Sequence, residues 1–107
     1  MNWRVRLIRV IYRWRVEPTK MHEFEVAWRQ TTRSIHAGTK GALGSFCLQS
    51  IEDPSEMLTV ALWETHNQWQ HFIKTARSNS MRDLHDLGTQ ISATAYRQIG
   101  DETVMLS

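Results

Sequence analysis

Apolar and polar side chains alternate along the beginning of the chain. Between residues 7 and 16, one set of alternate positions is wholly apolar or aromatic, while the other set combines two aliphatic side chains with three arginines. A period of two predicts a β-strand, and the apolar set predicts the face that meets the core. That face carries Ile8, Val10, Tyr12, Trp14 and Val16.

The spacing of apolar residues then lengthens to three and four. This period predicts an amphipathic helix over roughly residues 19–37, preceded by Pro18, which pre-sets a turn or a first helical position. Gly38 and Gly41 mark the end of the helix. Its apolar stripe consists of Met21, Phe24, Trp28, Thr31 and Ile35.

Two strands joined by a tight turn are predicted next. Residues 44–51 and 57–63 have strand character, and the sequence EDPS at 52–55 is typical of a hairpin turn. Both faces of the later strand are largely apolar, with Leu58, Val60 and Leu62 on one and Thr59, Ala61 and Trp63 on the other. Because one helix layer covers a single face of a sheet, we expect a second copy of the chain to cover the other face.

The remaining segments complete a recognisable order of elements. Thr65 and Gln68 have the spacing of a helix capping box, and a last strand is predicted over about residues 91–99. Between them lie two short apolar stripes, interrupted at residues 78–80 and ended by Gly88: Trp69, Phe72, Ile73 and Ala76, then Met81, Leu84 and Leu87. The order β-α-β-β-α-β predicts a ferredoxin-like α+β fold, an antiparallel sheet with its helices on one face.

Length and composition narrow the classes of protein. The chain has 107 residues, 13 Lys and Arg, and 11 Asp and Glu, which predicts a single domain over 1–107 with its core at 7–99. We find no apolar run of membrane-spanning length and no signal-peptide pattern, so we expect a cytoplasmic protein with no membrane partner. The sequence has one cysteine, Cys47, so a disulfide framework within the chain is excluded. The apolar neighbours of Cys47 predict an inert buried thiol.

Positive charge is concentrated at the start of the chain. The first 16 residues contain five arginines and no acid. We expect Arg9, Arg13 and Arg15 to share a strand face at an interface between subunits, opposite carboxylates such as Glu56 or Asp101 of a second copy. Arginines and tryptophans interleaved over 3–15 also suggest nucleic-acid binding, but the net charge is only +2 and the third predicted strand has no Gly-Phe-rich motif, so we expect no nucleic-acid partner.

Several short motifs together resemble one family. They are YRWRVEP at 12–18, Phe24 and Trp28 in the first helix, GALG at 41–44, EDP at 52–54 and LWET at 62–65. Over about residues 8–99 the chain is similar to the antibiotic-biosynthesis monooxygenase superfamily of dimeric α+β barrels. The resemblance implies a homodimer, with a ligand pocket between the sheet and the helices of each subunit. The best-known members oxidise polycyclic phenols to quinones without a metal or flavin.

That resemblance implies a small-molecule aromatic or polyketide-like substrate, with no cofactor and no metal. His85 or Tyr12 would accept a proton and Arg82 would stabilise the substrate anion. Thr59 stands where quinone-forming members have an asparagine, and Trp69 stands where they have a tyrosine. The substrate-binding wall would consist of Trp14, Thr59, Trp63, Trp69 and Phe72.

Three other interpretations compete with an oxygenase. Aromatic residues at strand and helix spacing are as compatible with a plain core as with a pocket. A non-catalytic binding or stress-related protein would keep the fold and the pocket without the chemistry. Haem-degrading relatives compare at Tyr12, Phe72 and His85, but the first two differ from those relatives, and a histidine beside Asp83 and Asp86 is more often a solvated residue than a haem ligand.

Overall fold

A computed structural model describes residues 7–104 of the chain, without the side chains of residues 76–78. The predicted tail residues Arg4, Arg6, Met105 and Leu106 lie outside the described residues, as does the side chain of Ala76 in the predicted stripe. Among the helices described, none is long and apolar enough to cross a membrane.

The first half of the described chain contains two strands and a long helix. Strand β1 spans Ile8–Arg15. A single 3-10 turn, Pro18–Lys20, leads into helix α1, Met21–Gly38, and strand β2 follows at Ala42–Gln49. The helix confirms the predicted one to within about two residues, a normal uncertainty at helix ends.

The second half adds a strand, a divided helical region and the last strand. Strand β3 spans Glu56–Trp63, and helix α2 spans His66–Lys74. A 3-10 segment, Ala76–Met81, and helix α3, Arg82–Leu87, form the predicted second helical piece. Strand β4 spans Thr89–Arg97 and starts two residues earlier than predicted, since Thr89 already pairs with Arg15 beyond a register shift that skips Ile91 of β4.

The four strands form one antiparallel sheet in the order β2-β3-β1-β4. With two β-α-β units interleaved in this way, the predicted ferredoxin-like α+β fold is confirmed. The register places Tyr12 opposite Thr59 and Ala93, and Cys47 opposite Thr59. Residues that are directly opposite share a face, so these side chains all lie on one side of the sheet.

The helices cover that side and enclose the core. Every residue of the predicted apolar face of the first strand is buried, from Ile8 to Val16. Phe24 of α1, Phe72 of α2 and Leu84 of α3 contact it from the helix layer. The alternation in the sequence therefore predicts the core correctly.

The loop before β2 is shaped by the start of α2. Gly41 has a φ of +89°, a region that residues with a Cβ rarely adopt, and a Cβ there would also collide with the side chain of Gln68. The Thr65 side chain caps α2 by accepting a hydrogen bond from the Gln68 backbone N–H at 3.2 Å. The other half of the predicted capping box is not formed, because Gln68 Oε1 packs on the glycine loop without a hydrogen-bond partner.

The opposite side of the sheet, which we call the open face, has no helix over it. Register and alternation place on it Ile11, Phe46, Leu48, Leu58, Val60, Leu62 and Tyr96, together with three arginines. Phe46 and Leu48 are 45% and 47% exposed. The arginines have neighbours within the chain: Arg13 lies 3.4 Å from Glu56, Arg15 lies 3.4 Å from Asp53, and Arg9 donates to Gln98 at 2.8 Å. Glu56 is thus already paired within its own chain.

Candidate functional site

A small cavity, which we call the inner cavity, lies between the sheet and the helices. Its volume is about 50 Å³. Strand residues form its floor and helix residues its roof. The lining residues that matter below are Tyr12, Trp28, His36, Ser45, Thr59, Ala61, Trp63, Phe72 and Met81.

A larger depression, which we call the outer cleft, lies above β1 and β4, beside α2 and α3. Its volume is about 610 Å³, and it is open to solvent. Tyr12 and Met81 border the inner cavity as well as the outer cleft. Among the side chains that the structure describes, those that line the outer cleft are Tyr12, Trp69, Ile73, Asn79, Met81, Arg82, His85, Gln90 and Ala93.

The structure divides the predicted site residues between these two spaces. Thr59, Trp63 and Phe72 line the inner cavity, whereas Trp69, Arg82 and His85 line the outer cleft; Tyr12 belongs to both. Trp14 borders neither space and is 1% exposed. Its indole packs edge-on against the Phe24 ring at 5.4 Å, which is the environment of a core residue.

Three indole N–H groups donate to three hydroxyl groups around the inner cavity. Trp69 donates to Tyr12 Oη at 3.0 Å, Trp14 to Thr59 Oγ1 at 3.0 Å and Trp28 to Ser45 Oγ at 2.7 Å. Because an indole nitrogen can only donate, each hydroxyl oxygen must be the acceptor in its pair. The three tryptophans therefore hold the hydroxyls in place without using the hydroxyl protons.

Tyr12 stays a neutral phenol at ordinary pH. Its burial raises the pKa above the usual value, and this outweighs the hydrogen bond from Trp69, which lowers it. A protonated hydroxyl can donate a hydrogen bond to a ligand, but it is a poor proton acceptor. The structure thus favours a donor role for Tyr12 over the predicted acceptor role.

Arg82 is the first residue of α3, His85 lies in its last turn, and both are exposed. The His85 ring lies against the indole of Trp14, with centroids 5.2 Å apart. Since the two side chains line the same outer cleft, a ligand there contacts an imidazole and a guanidinium together. An imidazole can accept a proton at neutral pH and a guanidinium stabilises an anion.

His36 and Ser45 line the inner cavity, and sequence reasoning missed both. His36 Nδ1 lies 2.6 Å from the Ala42 carbonyl oxygen, so that nitrogen carries a proton and donates it. A sequence pattern could have identified His36. It follows Thr32 by four residues and Trp28 by eight, which places it at the border of the apolar stripe of α1. Ser45 alternates with Cys47 on the helix side of β2.

Within the described part of the chain, no three His, Cys, Asp or Glu side chains gather in a way that could hold a metal ion.

Cys47 is half-buried on the helix side of β2, and burial raises the pKa of its thiol from 9.0 to about 11. We expect alkylation by iodoacetamide at pH 8 to be about 100-fold slower than in the unfolded chain, because only the thiolate reacts. The raised pKa also means that the contribution of Cys47 to stability is fully present below about pH 9 and is lost as the pH rises from there through 11. A rate profile with its midpoint near pH 9 in the folded protein would contradict this.

Comparison with known proteins places the chain in a family. The family model described as antibiotic biosynthesis monooxygenase matches residues 7–84. A search among curated proteins finds no match.

Solved structures share the fold. A Bordetella bronchiseptica protein named after the same family superimposes with a TM-score of 0.72 and 20% identity, covering 94% of this chain and 99% of its own. A mutant of SnoaB, a cofactor-independent oxygenase from Streptomyces nogalater, superimposes with a TM-score of 0.71 and 16% identity, covering 90% of this chain and 96% of its own. A conserved protein from Methanosarcina mazei Go1 superimposes with a TM-score of 0.70 and 18% identity, covering 88% of this chain and 94% of its own.

Proposed function

The chain belongs to the antibiotic biosynthesis monooxygenase family, and we propose that it is a cofactor-independent monooxygenase acting on an electron-rich aromatic or polyketide-like small molecule. The observation that carries this proposal is the outer cleft, where Arg82 and His85 stand beside the aromatic side chains of Trp69 and Tyr12. The aromatic side binds a flat apolar ring. On the other side, His85 accepts a proton and Arg82 stabilises a negative charge.

The sizes of the two spaces decide where such a substrate binds. Ligand sites in proteins have volumes of roughly 300–1,000 Å³, a range that includes the outer cleft at about 610 Å³. The inner cavity, at about 50 Å³, has no room for a ring system. We therefore assign substrate binding to the outer cleft, with Trp69 as its aromatic wall, while Trp63, Phe72 and Thr59 form the inner cavity behind it.

The reaction needs a base and an anion-stabilising group. His85 accepts the proton of the substrate hydroxyl, and Arg82 stabilises the resulting phenolate. The phenolate transfers one electron to dioxygen, and the superoxide and the aryloxyl radical then combine to form a carbon–oxygen bond. His85 returns its proton to the peroxide oxygen. The ring C–H and the O–O bond then break, so that one oxygen atom becomes the quinone carbonyl and the other leaves as water.

We also propose that the protein is a homodimer in the cytoplasm. The apolar side chains of the open face need a cover, and the arginines beside them are already neutralised or hydrogen-bonded within the chain. Two such faces can therefore meet without strong repulsion, and a second copy of the same surface fits a two-fold interface. A lone Cys47 suits a reducing compartment.

Oxygen uptake tests the proposed function. We expect uptake with at least one of phenol, 1-naphthol and 1,5-dihydroxynaphthalene, and an approximately 100-fold loss of kcat in His85→Gln, which removes the base. The matched control is His71→Gln, an exposed histidine of α2 that borders neither the inner cavity nor the outer cleft, and it should keep full activity. Equal activity of the two variants would remove His85 from the mechanism.

A second candidate function is binding without catalysis. The observation in its favour is that Thr59 and Trp69 replace the asparagine and tyrosine that the quinone-forming relatives carry at those positions. Quenching of tryptophan fluorescence by 1-naphthol, with no oxygen uptake for any of the three phenols, would favour the binder over the oxygenase.

A further inference from the structure

Strand β4 carries a bulge beside the outer cleft. Trp14 lies opposite Gln90, while the preceding residue of β1 lies opposite Ser92, so Ile91 is an extra residue without a partner in β1. Side chains of a regular strand alternate between the two faces, and an unbroken register would put Ile91 opposite Trp14 and turn Gln90 to the open face. The bulge therefore places an amide on the floor of the outer cleft, where regular pairing would place an aliphatic side chain.

The side-chain amide of Gln90 is available to a ligand. The side chain is half-buried and lines the outer cleft. Among the residues that the structure describes, none forms a hydrogen bond with this amide. An amide has two N–H donors and a carbonyl acceptor, so Gln90 can bind an oxygen substituent of a ligand in the outer cleft.

Gln90 lies beside the proposed base. The centroid of the His85 ring is 5.2 Å from that of the Trp14 indole, and Gln90 is directly opposite Trp14 across the two strands. His85 and Gln90 therefore flank the same indole and line the same end of the outer cleft. The Tyr12 ring, 6.2 Å from that of Trp14, lies further along the cleft. A substrate ring bound beside Tyr12 would present its oxygen atoms to His85 and Gln90 together.

The polar groups around the outer cleft favour a ligand rich in oxygen acceptors. Arg82 can only donate hydrogen bonds, and Tyr12 is a neutral phenol with a proton to donate. The amides of Asn79 and Gln90 add further N–H donors. Among the described side chains that line this cleft, none is a carboxylate. More than one oxygen of a substrate can therefore find a donor here.

We propose that Gln90 determines which substrates the protein accepts, because its amide binds a second oxygen atom next to the hydroxyl that His85 deprotonates. This rests on the proposed oxygenase function. The substrate class is a ring system with two neighbouring oxygen substituents, as in 1,8-dihydroxynaphthalene, and not with its oxygens on opposite sides, as in 1,5-dihydroxynaphthalene. When the first hydroxyl loses its proton, the second donates its hydrogen to the phenolate oxygen. The N–H of Gln90 then bonds to a lone pair of that second oxygen.

The two dihydroxynaphthalenes are matched probes, since they differ only in the position of one hydroxyl. In the wild type, quenching of tryptophan fluorescence under nitrogen should show about tenfold tighter binding of the 1,8 isomer, as expected for one additional hydrogen bond. Gln90→Met keeps the length of the side chain and removes the amide, so this ratio should fall to about one while the 1,5 isomer binds as before. The control is Gln30→Met, the same change at an exposed glutamine of α1 outside the outer cleft, and it should keep the ratio.

Ala93→Leu tests where the two isomers bind. Ala93 is directly opposite Tyr12 and lines the outer cleft, so a leucine there fills space that the ring would occupy. Both isomers should bind about tenfold more weakly, and the ratio between them should not change. Unchanged affinity for both isomers would place them elsewhere on the protein and overturn the proposal.

Binding and turnover separate this proposal from the oxygenase. A ratio near one in the wild type, or a tenfold ratio that survives in Gln90→Met, overturns the role of Gln90 even when the protein consumes oxygen. Equal weakening of both isomers in Gln90→Met indicates a structural role and also overturns it. A tenfold ratio that Gln90→Met abolishes, with no oxygen uptake on any phenol, overturns the oxygenase and leaves Gln90 as the selecting residue of a binding protein.

Discussion

Replacing Trp14 by alanine is expected to lower the free energy of unfolding by about 3–5 kcal/mol. The side chain is 1% exposed, and its ring contacts those of Phe24 and His85. Truncation leaves a cavity between the sheet and the helices and deprives Thr59 Oγ1 of the indole donor. Since a domain of this kind is stable by only about 5–15 kcal/mol, much of the chain should unfold at moderate urea concentrations.

Urea unfolding followed by circular dichroism measures this effect. Trp14→Phe is the matched variant, because it keeps a buried ring and removes only the N–H donor and part of the volume; we expect a smaller loss of about 1–3 kcal/mol. The sequence predicts Trp14 as part of the substrate wall. A stable Trp14→Ala that no longer binds 1-naphthol would support that role and contradict the core role.

Introducing charge on the open face is expected to separate a dimer into single chains. Leu48 is 47% exposed in the chain by itself, so Leu48→Lys should cost the isolated chain little. In a sheet-to-sheet dimer the same side chain would be buried, and two lysines related by the two-fold axis would each lose water without a partner. We expect the dissociation constant to rise at least about 100-fold, a change of nearly 3 kcal/mol.

Sedimentation velocity over a range of concentrations measures the dissociation constant. Val26→Lys is the control: Val26 is a 40% exposed aliphatic residue of α1, on the helix layer and away from the open face, and this variant should remain dimeric. A wild-type chain that sediments as a monomer at micromolar concentration contradicts the dimer, and so does a Leu48→Lys variant that dimerises as the wild type does.

Local patterns were sufficient to predict the elements and the buried face. The alternation from residue 7 to residue 16 identified which side chains of β1 point to the core, since successive strand residues face opposite ways whatever lies around them. The stripe of α1 and the threonine cap of α2 follow from short-range geometry in the same way. Ile73 is the exception: it lies in the predicted stripe of α2 but is 40% exposed at the outer cleft.

The division of the aromatic residues could not be predicted from spacing. Trp14 and Tyr12 share one face of one strand, yet one is in the core and the other borders two spaces. What separates them is contact with residues far along the chain: Tyr12 receives its hydrogen bond from a residue 57 positions away, and Trp14 donates to one 45 positions away. Volume left between packed side chains depends on all of them at once.

The sequence by itself determined the order of strands and helices, the core face of the sheet and the resemblance to an oxygenase family, because each of these depends on periodicity or on short motifs. Only the tertiary structure decided that the candidate residues form a small inner cavity and a larger outer cleft. It also decided that three tryptophans hold three hydroxyls as acceptors between helices and sheet. Such pairs form across elements that meet only after folding, so no local pattern in the chain records them.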